Sequence, residues 1–98
     1  MSEYMSGKNP GGIHIEKATE KVLKEKGVSR WSPWSCNPSE FDWEYDTDEW
    51  AYIKKGRVIV RCPDGEVEIK AGDLVKFPKG LKCRWVVKER IEKVYHFE

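Results

Sequence analysis

The sequence predicts an all-β domain, an antiparallel sandwich or barrel of short strands with one brief helix near its N-terminus. Three observations carry this. From residue 41 onward apolar and polar residues alternate with a period of two, the spacing of a half-buried strand. Turn signals built on Gly, Pro and Asp recur between those runs, as they do in sandwiches and barrels. A length of 98 residues suits one compact domain.

The elements follow in order. Residues 1–12, "MSEYMSGKNPGG", are polar and Gly-rich and read as a loose tail, leaving 13–98 as the folded domain. "GIHIEKA" reads as a short strand. "TEKVLKEKG" reads as a helix capped by Thr19 and stopped by Gly27, with only Val22 and Leu23 to grip the rest, hence peripheral. "VSRWSPWSCNPSEF" reads as a turn-rich connection. In "EFDWEYDTDE" the odd positions Phe41, Trp43 and Tyr45 are aromatic and the even positions Asp42, Glu44, Asp46 and Asp48 are acidic. That is a strand with its acids in water. "AYIKKG" reads as ending in a turn and "RVIVRC" as the next strand, followed by the tight turn "PDG". "EVEIKAGDLVKF" gives two strands around Ala71-Gly72-Asp73, and "LKCRWVV" and "IEKVYHFE" give the last two.

Composition narrows the function classes. Lys plus Arg (18) nearly balances Asp plus Glu (17), so the chain as a whole has no pull toward nucleic acid or a membrane surface. No apolar run approaches a spanning helix, and residues 1–12 lack the apolar core of a secretory signal. Cys36, Cys62 and Cys83 are odd in number and none shares metal-knuckle spacing. A reduced, cytoplasmic protein is the simplest expectation. Five Trp, four Tyr and three Phe are ample to fill a core and line a cavity as well.

Two spacings resemble the cupin family of small jelly-roll barrels. The first cupin motif ends in a Glu with a Gly seven residues on, as Glu49 and Gly56 do here; the second runs Gly, Pro, Gly, His, and Gly72, Pro78 and Gly80 match it with Cys83 in the His place. "SRWSPW", "EFDWEYDTDE" and "GDLVKFPKGLKCRW" further resemble the single-domain cupins related to ureidoglycine aminohydrolase and the ethanolamine-utilisation cupin. The resemblance implies a jelly-roll barrel over residues 13–98 and a homodimer. It also implies a cavity between the sheets, lined by Trp43, Tyr45, Glu49, Cys83 and Trp85.

Metal-binding cupins usually hold a divalent ion with three His and one Glu. Here the first-motif His positions fall on Trp43 and Tyr45, or on Asp42 and Glu44; strand parity favours the first pair, which shares a face with Glu49. An indole has no lone pair to offer a metal. His14 and His96 lie in neither motif. No cofactor is therefore expected; the alternative is a divalent ion held by Glu49 and Cys83. The leading expectation is a metal-independent cupin that binds a small molecule between aromatic walls, with Glu49 and Tyr45 orienting it. One alternative is an enzyme acting on a small nitrogenous metabolite, with Glu49 and Cys83 as its catalytic candidates. Another is an assembly module without a ligand, which would bury Trp50, expected on the barrel exterior.

Overall fold

The computed structural model describes residues 9–98. Seven strands follow in chain order: β1 (His14–Lys17), β2 (Ser32–Cys36), β3 (Ser39–Glu44), β4 (Glu49–Cys62), β5 (Gly65–Lys70), β6 (Asp73–Phe77) and β7 (Lys82–Phe97). One α-helix, α1 (Glu20–Lys26), lies between β1 and β2 and is followed by a 3-10 turn at Val28–Arg30. Every strand pairing is antiparallel, in the order β1-β6-β4-β7-β2, with β5 added to β4 and β3 to β7. The expected all-β jelly-roll is what the chain forms. Among the described residues no helix is long and apolar enough to cross a membrane.

Helix α1 has the expected ends. The Thr19 side chain accepts a hydrogen bond from the Val22 N–H, and Gly27 closes the helix in the left-handed conformation at φ 70°. No residue of α1 is buried.

The architecture rests on the long pair β4 and β7. The first half of β4 lies between β6 and the end of β7, while its second half lies between β5 and the start of β7. Strands β2 and β3 each pair with one half of β7. One long hairpin therefore runs through both leaves of the sandwich and bends between them. The leaves meet across aromatic contacts: ring centroids of Phe77 and Trp85 are 5.9 Å apart, and those of Trp34 and Trp85 are also 5.9 Å apart.

The bend corrects the expected turn at "AYIKKG". The chain does not turn there; β4 continues, and its register with β7 shifts repeatedly between Ile53 and Val58. This bulge flips the buried face from the odd positions Glu49, Ala51 and Ile53 to the even positions Val58 and Val60. Gly56 makes it possible. Its φ is 92°, and a Cβ there would stand 2.1 Å from the Arg90 carbonyl oxygen. "LKCRWVV" and "IEKVYHFE" likewise form one strand, β7, because its side of the bend needs no turn.

Two further expectations change. The "SPWSC" segment is strand β2, not connection; it lies at the sheet edge, where Pro33 costs no ladder hydrogen bond. The alternating acidic run is not one strand. β3 ends at Glu44 and β4 starts at Glu49, so the chain re-enters the sheet between them. Of the tail expected over residues 1–12, residues 1–8 lie outside the described residues. Pro10–Gly12 form a 3-10 turn in which the Gly11 N–H donates to the Asp64 carboxylate at 2.9 Å.

Candidate functional site

The β3–β4 connection brings the site together. The Tyr45 N–H donates to the Leu81 carbonyl at 2.9 Å, and the Gly80 N–H donates to the Tyr45 carbonyl at 2.7 Å. The turn of the second motif thereby clamps Tyr45 in place. The chain reverses, and Glu49 opens β4 opposite Phe77 on one side and Phe97 on the other. From there its side chain points between the leaves.

Glu49 is 4% exposed and Lys93, on β7, is 8% exposed. Lys93 Nζ donates to Glu49 Oε2 at 2.9 Å. The small, fully buried Ala51 lies between them on the same face. Aromatic rings surround the ammonium: Nζ lies 4.8 Å from the Trp85 ring centre, 4.9 Å from that of Trp34 and 5.6 Å from that of Tyr95. All three distances fall within cation–π range.

This pair lines a cavity of about 170 Å³. Phe41, Tyr45 and Trp85 form part of its walls, with the Phe41 and Trp85 rings stacked at 6.0 Å. Trp43 and Phe97 also line it and are half exposed, at 50% and 53%, so they form its rim. Tyr45 stacks on Phe77 at 4.7 Å. Burial, reinforced by the nearby Glu49 carboxylate, holds the Tyr45 phenol far above the ordinary phenol range. It is a neutral hydroxyl at any working pH. Burial also lowers Lys93 below the ordinary lysine value, and the Glu49 partner only partly offsets this.

The structure thus brings four of the expected site residues together, Trp43, Tyr45, Glu49 and Trp85. Cys83 is not among the residues lining the cavity. It pairs with Trp43 across β3 and β7, but its thiol is buried in the core. Burial, with Cys62 adding to it, pushes that thiol up to about 11. The Trp85 indole N–H is buried beside the Tyr45 and Cys83 side chains and, among the described residues, has no well-formed hydrogen bond. Among the described residues no three His, Cys, Asp or Glu side chains converge to hold a metal ion.

The acidic residues of the 40–48 run are surface groups. Asp42, Glu44 and Asp46 are exposed. Asp42 and Glu40 share Arg84, at 3.0 and 3.3 Å, and Asp48 accepts from the Lys79 N–H at 2.7 Å. Trp50 does lie outside the barrel, but the chain itself covers it: Lys26 of α1 sits 3.8 Å from its ring centre and His14 of β1 meets it edge-on. His96 is exposed at the sheet surface, stacked on Trp31.

The sequence reading missed Lys93. Its signal is in the alternation of the last strand, where Ile91, Lys93, Tyr95 and Phe97 share one face. A lone lysine in an otherwise apolar row is either at a rim or paired inside.

Residues 23–95 match the EutQ-like cupin domain. The structure is similar to that of a DUF861 family protein from Thermotoga maritima, with 49% identity and a TM-score of 0.85 over 88% of this chain and 99% of that one. It also resembles the Clostridium difficile EutQ protein, at 22% identity and a TM-score of 0.61 over 85% of this chain and 64% of that one. A cupin-2 domain protein from Shewanella frigidimarina is similar at 23% identity and a TM-score of 0.57, over 67% of each chain. The last two likenesses concern the fold alone. No curated protein matches the chain.

Proposed function

The chain belongs to the EutQ-like cupin family, and on that footing we propose that it binds a small, ring-sized compound with a polar end, without a metal ion. The observation that carries this is the buried Glu49–Lys93 pair in the wall of an otherwise aromatic cavity. The walls suit the flat face of a ring. The pair offers an acceptor and a donor to the ligand's polar end, which gives the ligand one orientation. A volume of about 170 Å³ is close to that of an apolar cavity of about 150 Å³ that holds benzene in another protein.

The donor set does not suit a divalent ion. The Glu49 carboxylate already has the Lys93 ammonium at 2.9 Å. Tyr45 keeps its proton, Trp43 has only an N–H to give, and the Cys83 thiol lies in the core with its proton held up to about 11.

The test has two parts. Metal content is measured on protein purified without chelator, and single-ring compounds are screened by the fluorescence of the cavity tryptophans. The expected result is a ring compound that quenches or shifts that emission, with no stoichiometric metal. One tightly held divalent ion per chain, lost in Glu49→Gln, would overturn the proposal.

A further inference from the structure

Of the side chains lining the cavity, Lys93 is the one amine, and among the described residues its ionic partner is Glu49, a carboxylate of the same cavity. Lys76, by contrast, pairs with Glu98 at the surface, and Lys26 covers Trp50 from outside. We propose that Lys93 captures small aldehydes or ketones as a Schiff base, with Glu49 carrying the protons. This rests on the ligand-binding reading above and names the class of ligand.

Three features of the geometry support it. A carbonyl compound sliding between the ring walls meets the amine in the cavity wall. The amine must shed a proton to react, and Glu49 Oε2 lies 2.9 Å from it to take that proton. Rings on three sides keep bulk water away from the amine, and burial weakens its hold on the proton. An aryl imine would then extend between Phe41, Trp34 and Trp85, which line the cavity.

The steps balance. Lys93 gives a proton to Glu49, and the freed Nζ lone pair forms a bond to the carbonyl carbon as the C=O π pair moves to oxygen. That oxygen takes the proton from Glu49, and Glu49 then removes one of the two protons left on Nζ, giving the neutral carbinolamine. Glu49 returns that proton to the hydroxyl, the C–O bond breaks with loss of water, and the nitrogen lone pair forms the C=N bond. The product is a protonated imine beside an ionised Glu49. The sum is one carbonyl compound and one ammonium converted to one iminium and one water, with no change of oxidation state.

The experiment uses benzaldehyde with sodium cyanoborohydride, which reduces an imine to a stable benzylamine, followed by peptide mapping. Benzyl alcohol, with the same ring and no carbonyl, reports binding alone through tryptophan emission. The expected result is a single benzyl adduct per chain on Lys93, formed before any surface lysine is labelled. Lys93→Arg, which keeps a positive charge beside Glu49, loses the adduct, and its far-UV circular dichroism checks that it stays folded. Glu49→Gln slows adduct formation by about 100-fold or more, and an unchanged rate would overturn the role given to Glu49. If benzyl alcohol binds while benzaldehyde labels surface lysines and leaves Lys93 free, the inference falls and the binding reading stands. If neither compound binds, both fall.

Discussion

Removing one member of the Glu49–Lys93 pair should damage the protein far more than removing both. Glu49→Leu leaves an ammonium that is 8% exposed with no counter-charge, and Lys93→Met leaves a carboxylate that is 5% exposed. Breaking a buried pair from one side costs about 3–5 kcal/mol, whereas replacing both partners by apolar groups is neutral or stabilising by about 1–4 kcal/mol. A domain of this size has roughly 5–15 kcal/mol of stability in total. Each single variant therefore loses a large share of it. At about 4–8 °C per kcal/mol, a loss of about 3 kcal/mol lowers the melting temperature by at least about 12 °C. The Glu49→Leu/Lys93→Met double variant should melt at or above the wild-type temperature.

Urea unfolding followed by far-UV circular dichroism measures all four proteins without relying on the tryptophans that surround Lys93. The reasoning is refuted if the double variant loses the sum of the single losses, or if Glu49→Leu is as stable as wild type. The pH dependence of Glu49→Leu adds a sign. In the wild type Glu49 raises the proton affinity of Lys93 and burial lowers it. In the variant only the lowering remains, so the folded state releases the Lys93 proton at a lower pH than the unfolded chain, which holds it to about 10.4. Stability rises with pH wherever the unfolded state binds more protons. The deficit of Glu49→Leu should therefore be full below the folded-state value of Lys93 and shrink as pH rises toward about 10.4. A deficit constant up to that pH would show that the ammonium is not its cause.

Three other outcomes follow from the same structure. Gly56→Ala places a Cβ 2.1 Å from the Arg90 carbonyl and should cost well over the roughly 1–2 kcal/mol of a left-handed residue. Gly27→Ala, with nothing within 4 Å, should cost only about that amount; equal losses in urea unfolding would contradict the bend. Trp85→Ala, at 2% exposure, should destabilise by about 3–5 kcal/mol. Trp43→Ala, at 50%, should cost at most half as much yet weaken ring-compound binding about tenfold, as a titration would show. The Cys83 thiol, held up to about 11 and 8% exposed, should react with iodoacetamide at pH 8 more than about 100-fold slower in the native than in the unfolded protein.

Much of this arrangement is legible in the residue order, and the exceptions have physical causes. Alternation locates the strands, and the Gly-Pro-Gly spacing at residues 72, 78 and 80 locates the turn that clamps Tyr45. The bend at Lys54–Arg57 is not legible, because "KKGR" carries the same polar residues and glycine as a turn, and only the neighbouring carbonyl of Arg90 shows that Gly56 sits in a bulge. Parity places Trp43, Tyr45 and Glu49 on one face by treating residues 41–49 as a single strand. The chain instead breaks after Glu44 and restarts at Glu49, and the odd positions of β4 happen to face inward again. Cys83 follows its parity into the interior and joins the same buried cluster as Tyr45 and Trp85, but it is not among the residues lining the cavity, a distinction that alternation does not encode. Lys93 is lost among 18 basic residues unless its apolar row is weighed.

Stability does not account for the Glu49–Lys93 pair. An apolar pair of similar volume would hold the fold at least as well, and the ion pairs elsewhere on the surface involve side chains that are 33–82% exposed, where such contacts add little. The position of the pair accounts for it better. It lies at a cavity wall, within reach of a ligand, rather than at the centre of the core. Indole and phenyl walls alone would accept any ring in any direction, because dispersion and burial are not directional. A fixed carboxylate and ammonium give the cavity a polar group, already desolvated and already oriented, so that under the proposed function little reorganisation would accompany binding. In a cupin with a metal site, the cation beside the motif Glu would be the bound ion. Here the cation beside Glu49 is an amine on the chain itself, and an amine, unlike a metal ion, can form a covalent bond to a carbonyl carbon.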